Sequence, residues 1–104
     1  MQKNIIPLEK EFTGKGEVRN MRFLQLYSSK KAYLYQVGRV DCHYEVFERK
    51  NAPFCNNFEN KEFSKTEFKE IYPNSKNFGM WAWTYQNLDK ALEKFNNLTN
   101  APEI

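Results

Sequence analysis

The sequence has few of the residues on which most catalytic and metal sites depend. Its 104 residues include two cysteines and one histidine, with only four glycines and four prolines. Structural zinc sites use four Cys or His ligands, commonly at paired spacings, and the spacing of Cys42, His43 and Cys55 matches none of these. We therefore predict no metal site, no cofactor and no enzymatic activity.

The single histidine also lacks a nucleophile. Cys42 and His43 are neighbours on a predicted strand, and neighbouring strand residues point to opposite faces, so they do not form a nucleophile and base pair. Glu45 shares the face of His43 and is expected to orient its ring. A half-exposed pair on a sheet explains these residues better than catalysis does.

The sequence also lacks long apolar runs. None approaches the roughly 20 residues that span a bilayer, and Met1–Pro7 lacks the apolar region of a secretory signal. We therefore expect a cytoplasmic protein with reduced cysteines and no membrane partner.

The length predicts a single domain over residues 1–104. Residues 1–11 are expected to form a loosely held N-terminal arm that docks on the sheet or pairs as an edge strand. Pro7 argues against a central strand there.

The clearest periodicity predicts a C-terminal helix. Apolar residues recur at helical spacing and form one stripe: Leu88, Ala91, Leu92, Phe95 and Leu98. Asn87 is placed to cap the first turn, and Asn100 and Pro102 are stop signals. The stripe is expected to lie on the protein's own sheet, with docking on another protein as the alternative.

Alternating residues predict strands before this helix. The first is expected at 17–27, with Met21, Phe23 and Tyr27 on one face and a bulge near Asn20. Strands over 32–37 and 41–49 follow, then a loop over 50–64 and a fourth strand over 66–72. The predicted fold is an α+β domain: an antiparallel sheet of four to five strands, a meander, packed against one C-terminal helix.

The last predicted strand holds both tryptophans. Trp81, Trp83 and Tyr85 alternate with Met80, Ala82 and Thr84, so one face is aromatic and the other is small or flexible. We expect the helix to lie on the small face, near Ala82. The aromatic face then needs a cover, either within the chain or from a partner, or it is an exposed binding platform.

Two functions follow from this pattern. The first is a small binding or assembly protein that acts through protein–protein contacts as a homodimer, because one helix covers only one face of an apolar sheet. The alternative is a nucleic-acid-binding module in which rings stack on bases and basic turns contact phosphate. The candidate binding residues are Tyr33, Tyr35, Trp81, Trp83, Arg19, Arg22 and Arg39. The net charge of +3 is too small to indicate nucleic acid by itself.

Residues 11–98 resemble a group of small uncharacterised proteins of intestinal bacteria and their phages. The resemblance lies in Tyr44–Phe47, the Tyr72-Pro73-x-Ser75 turn, Phe78-Gly79-x-Trp81-Ala82-Trp83 and the closing helix. It implies the order of the fold and no activity. Val37-Gly38-Arg39-Val40 is also similar to the WGR domain of DNA-repair proteins, with Val37 in place of the expected tryptophan. That similarity implies contact with nucleic acid.

Overall fold

The computed structural model of the chain describes residues 4–14, 21–38, 41–57 and 62–101. In chain order the elements are β1 (Asn4–Ile6), β2 (Glu11–Thr13), β3 (Arg22–Ser28), β4 (Ala32–Val37), β5 (His43–Glu48), β6 (Asn51–Asn57), β7 (Glu62–Glu70), a 3-10 turn (Ser75–Asn77), β8 (Ala82–Tyr85) and α1 (Leu88–Thr99). They belong to two compact units. The described residues of unit 1 lie within 1–8 and 50–72, and the described residues of unit 2 lie within 9–49 and 73–104.

Unit 2 contains a five-stranded sheet with one helix. The strand order is β2-β3-β4-β5-β8, and every neighbouring pair is antiparallel. Strands β3, β4 and β5 follow one another as a meander, and β8 pairs with the free side of β5. The predicted fold class, an antiparallel sheet packed against a C-terminal helix, is confirmed.

Helix α1 forms where the periodicity predicts it. The side chain of Asn87 accepts hydrogen bonds from the backbone N–H groups of Asp89 and Lys90, and Asn100 ends the helix. Ala91 and Phe95 are buried against the sheet. The predicted cap and stop are thus confirmed, while Pro102 lies outside the described residues. Within the part of the chain described, no helix has the length and apolar character needed to cross a membrane.

The helix packs on the face of β8 opposite to the predicted one. Its apolar stripe contacts a cluster that includes Val46 on β5 and Tyr85 on β8. Trp83 pairs with Val46 and therefore lies on this same face, whereas Ala82 pairs with Phe47 on the other face. The prediction that the helix lies on the small Ala82 face is wrong, because the large face of β8 continues the apolar cluster of β4 and β5.

Strand β3 contains a bulge at a different place from the predicted one. The register with β4 shifts between Gln25 and Tyr27, whereas Asn20 lies outside the described residues. The shift places Tyr27 near Phe95 of the helix, with ring centroids 6.0 Å apart. Phe23 stacks on Phe12 on the opposite face. The prediction that Phe23 and Tyr27 share a face is therefore wrong, because a bulge changes the alternation of side chains.

Unit 1 contains a second sheet that the sequence did not predict. Its order is β1-β7-β6, with β6 and β7 antiparallel and β1 parallel to β7. The prediction of a loop over 50–64 is wrong, because β6 covers 51–57 and β7 begins at 62. Pro53 fits within β6 because this is an edge strand. The prediction that the N-terminal arm, residues 1–11, pairs as an edge strand is confirmed for β1.

Candidate functional site

Tyr33 and Tyr35, two of the predicted binding residues, lie in the core. Both are buried, and the ring of Tyr35 stacks on Phe47 with centroids 5.7 Å apart. The Tyr35 hydroxyl donates a 2.6 Å hydrogen bond to the carbonyl oxygen of Glu9 and accepts one from Gln25 Nε2 at 2.9 Å. A ring held in this way has no free face on which a base or a partner side chain can stack.

A cation covers the neighbouring ring. The guanidinium carbon of Arg49 lies 4.6 Å from the centroid of the Tyr33 ring, and Arg49 Nη1 donates a 2.8 Å hydrogen bond to the carbonyl oxygen of Ser29. A guanidinium over an aromatic face is favourable by about 0.5–2 kcal/mol, depending on desolvation. Through the hydrogen bond from Arg49 to Ser29, the β3–β4 turn contacts the residue that follows β5.

The two tryptophans occupy different environments. Trp81 precedes β8 and is buried, and its carbonyl oxygen accepts a hydrogen bond from the backbone of Glu48. Trp83 is half-buried on the helix face, with Lys94 Nζ 3.8 Å from its ring centroid. Tyr35 stacks on Phe47 on the other face of the sheet. The four predicted rings therefore do not form one platform.

Of the three predicted arginines, the structure describes Arg22. Arg22 forms an ion pair with Glu11 across β2 and β3. Arg19 and Arg39 lie outside the described residues. The one described arginine of the predicted set is thus engaged with an acid on the neighbouring strand.

His43 and Glu45 form the predicted pair. His43 Nε2 and Glu45 Oε2 are 3.0 Å apart, and Glu45 is buried while His43 is partly exposed. Cys42 is a free thiol whose Sγ donates to the carbonyl oxygen of Gly38 at 3.1 Å. Among the described residues, no group of three or more His, Cys, Asp and Glu side chains is arranged to hold a metal ion.

Isoleucine has an unusual distribution in this structure. Isoleucine is among the most frequently buried residue types, yet every described isoleucine has a side chain that remains accessible to solvent. The exposed fraction is 46% for Ile5, 48% for Ile6 and 38% for Ile71. All three belong to unit 1.

Two of these isoleucines form most of the edge strand β1. Ile5 pairs with Phe68 and Ile6 with Lys69 of β7, and the other side of β1 has no partner strand among the described residues. The backbone N–H of Leu8 donates to Oε1 of the buried Glu70 at 3.2 Å and anchors the end of the strand.

The remaining edge strands carry features that discourage further pairing. Strand β6 contains Pro53, which lacks an N–H donor. Strand β2 bears the Glu11–Arg22 ion pair. Proline and charge are common protections of natural sheet edges. The outer strand β8 has neither within it, but its apolar side chains, Ala82, Trp83 and Tyr85, are buried or half-buried. Strand β1, with Asn4, Ile5 and Ile6, has no charge and no proline within it.

Among the side chains that the structure describes, Met80 is the most exposed large apolar one, at 72%. It follows Gly79, which has a φ of 92° that favours glycine. Hydrogen bonds from the N–H groups of Met80 and Trp81 to the carbonyl oxygen of Asn77 hold the turn. Met80 belongs to unit 2 and is an isolated exposed side chain, which is common on protein surfaces.

Sequence reasoning identified the residues of β1 as an edge strand but not as a candidate binding surface. The alternation of apolar residues indicates which side chains share a face, and it does not indicate whether that face is covered. Comparison of the chain with protein-family models, curated proteins and solved structures finds no match. The geometry of β1 and its neighbours is therefore the basis for a functional proposal.

Proposed function

We propose that this chain is a non-enzymatic binding or assembly protein that acts through protein–protein contacts and forms a homodimer. The observation that carries the proposal is the uncharged edge strand β1 with the half-exposed Ile5 and Ile6. An edge strand offers unpaired backbone groups to another strand, and exposed apolar side chains beside it favour such pairing. No cofactor or metal enters the proposal.

The aromatic face of the five-stranded sheet, the contact first expected from the sequence, has a different role. Phe23, Tyr35 and Phe47 are fully buried, and α1 packs on the other face. Neither face of this sheet offers a broad apolar surface at these residues. The edge of the second sheet therefore replaces the aromatic face as the proposed contact.

The size of this edge indicates a weak dimer. Complete burial of an isoleucine side chain contributes about 1.5–3 kcal/mol, so covering the remaining half of Ile5 or Ile6 contributes roughly 1 kcal/mol each. A contact centred on a three-residue strand falls below the roughly 1,200 Å² of stable specific interfaces. We therefore expect association that depends on protein concentration.

Sedimentation velocity over a range of protein concentrations tests this proposal. We expect the weight-average sedimentation coefficient of the wild-type protein to rise with concentration. The Ile5→Lys variant is expected to stay at the monomer value, because it places a charge on the edge. Met80→Lys is the matched control, since it makes the same change at a more exposed apolar residue of the other unit, and it is expected to behave as wild type.

A wild-type protein that stays monomeric up to its solubility limit would contradict the homodimer. Equal loss of association in the Ile5→Lys and Met80→Lys variants would instead remove β1 as the contact. Circular dichroism establishes that each variant is folded. Ile6→Thr is a second variant, because threonine retains the strand preference of a β-branched residue while reducing apolar surface.

The alternative function, nucleic-acid binding, has less support from the described residues. Tyr33, Tyr35 and Trp81 are buried, so half-buried Trp83, beside Lys94, is the one of the four predicted rings that is left for stacking. The proposed compartment is the cytoplasm, where the free thiol of Cys42 stays reduced.

A further inference from the structure

We infer that two copies of the chain pair their β1 strands antiparallel, with Ile5 of one copy opposite Ile5 of the other. This inference rests on the proposed homodimer and specifies its contact. The second copy extends the β1-β7-β6 sheet beyond β1, so that two three-stranded sheets become one continuous sheet. Antiparallel pairing of one strand with its own copy is compatible with a two-fold axis, which is the usual symmetry of homodimers.

The register follows from the length and ends of β1. Only a pairing centred on Ile5 places all of Asn4–Ile6 opposite the same three residues of the second copy. Centring on Ile6 instead brings Pro7 into the pairing, and proline lacks the N–H that a ladder uses. In an antiparallel pair, two opposed residues either both exchange backbone hydrogen bonds or both do not. A strand that pairs with its own copy must therefore place one residue opposite itself. Ile5 is thus the central position.

The side chains in this register are compatible with one another. This register pairs Ile5 with Ile5, and residue 4 of each copy with residue 6 of the other. No charged residue lies in the paired segment, so no like charges meet across the axis, which would be destabilising. The second copy is favoured over a strand of another protein because this register pairs the apolar Ile5 with itself and opposes no two charges.

Three features separate β1 from the other edges as the strand that pairs. Strand β6 contains Pro53, β2 bears the Glu11–Arg22 ion pair, and the apolar side chains of β8 are buried or half-buried. Strand β1 has none of these features, and its two isoleucines are among the most exposed apolar side chains described. The anchoring bond from Leu8 to the buried Glu70 holds its end in place, which lowers the entropic cost of pairing.

Disulfide trapping with single cysteine substitutions tests the register. Directly opposed Cα atoms in antiparallel strands are about 4.5–5.5 Å apart, within the roughly 4.4–6.8 Å that a disulfide spans. The Ile5→Cys variant is therefore expected to cross-link to itself. In the same register the Cα atoms of the two copies of residue 4 are offset by two residues along the strands as well as by the spacing between them. Their separation is therefore about 8 Å, which exceeds the range that a disulfide spans.

The matched controls follow from this geometry. Asn4→Cys alone and Ile6→Cys alone are expected to cross-link slowly, whereas a mixture of the two variants is expected to form a mixed disulfide. Under mild oxidation the matched pairs should react about tenfold or more faster than the unmatched ones, because their effective concentration is higher. Cys42 and Cys55 are kept, and mass spectrometry of the peptides identifies which cysteines are joined.

The outcomes separate this inference from the proposed function. Rapid cross-linking of Ile5→Cys and of the mixture, with slow reaction of each control alone, supports the register. Association in sedimentation with equal rates for all variants, or with no cross-link at position 5, overturns the pairing of β1 and leaves the homodimer standing. A protein that neither associates nor cross-links overturns both.

Discussion

The hydroxyl group of Tyr35 connects three segments of unit 2. It donates to the carbonyl oxygen of Glu9 ahead of β2 and accepts from Gln25 of β3, while its own ring is part of β4. The ring is fully buried and stacks on Phe47. A buried hydroxyl with both a donor and an acceptor partner makes this ring a structural residue, in contrast to the binding role first predicted for it.

Replacing Tyr35 with Phe is expected to lower the free energy of unfolding by about 1–2 kcal/mol, because the Glu9 carbonyl oxygen and the Gln25 amide lose this partner. Tyr27→Phe is the matched control. Tyr27 is partly exposed, and its described contact is with the ring of Phe95, so its effect should stay within about 0.5 kcal/mol. Urea denaturation measures both, and equal losses would contradict the proposed role of the hydroxyl.

Among the elements, α1 depends on a single side chain for its first turn. Asn87 Oδ1 accepts from the N–H of Asp89 at 2.7 Å and from that of Lys90 at 3.3 Å. The backbone N–H groups of a first helical turn have no partners within the helix. The Asn87 side chain therefore supplies hydrogen-bond partners to two of these N–H groups, at the start of the helix that covers one face of the sheet.

The Asn87→Ala variant is expected to lose about 1 kcal/mol of unfolding free energy. Asn97→Ala, on the exposed side of the same helix, is expected to gain a few tenths of a kcal/mol, because alanine has the higher helix propensity. Thermal denaturation followed by circular dichroism compares the two. Changes of the same sign and size would show that the cap contributes nothing beyond propensity.

The elements also differ in how well the sequence predicts them. Helix α1, β4 and β5 follow strong apolar periodicities and lie where these predict. Strand β6 is rich in Asn and contains Pro53, so its local preferences favour turns and its strand forms through pairing with β7. The bulge at Gln25–Tyr27 likewise depends on pairing with β4, which single-strand periodicity does not include.

The candidate site was less predictable than the fold. Alternation correctly placed Tyr33 and Tyr35 together on one face, but it gave no information on whether that face is covered. The open edge of β1 depends on strand order, because a segment such as Asn4–Ile6 is central or peripheral only by virtue of its neighbours. Strand order is set by contacts between residues far apart in sequence, such as Asn4 with Glu67.

At the scale of the whole chain, the mild net charge of +3 leads to a prediction about nucleic acid. With Tyr33, Tyr35 and Trp81 buried, adding single-stranded oligonucleotides at moderate salt is expected to leave the tryptophan fluorescence unchanged. Quenching that weakens as salt rises would indicate stacking with phosphate contacts and favour the alternative function. The Trp83→Phe variant is the control, since stacking on Trp83 would no longer be detected in it.

Strand β1 also has a consequence for the order in which unit 1 assembles. Its parallel pairing joins Asn4 to Glu67, whereas the hairpin of β6 and β7 joins residues as near as Asn57 and Glu62. Closing the longer loop costs more chain entropy, so we expect the hairpin to form first and β1 to be added late. Until β1 is added, β7 would be an edge that the β1 segment of another chain can occupy. We therefore expect strand exchange between folding chains to compete with correct assembly at high protein concentration.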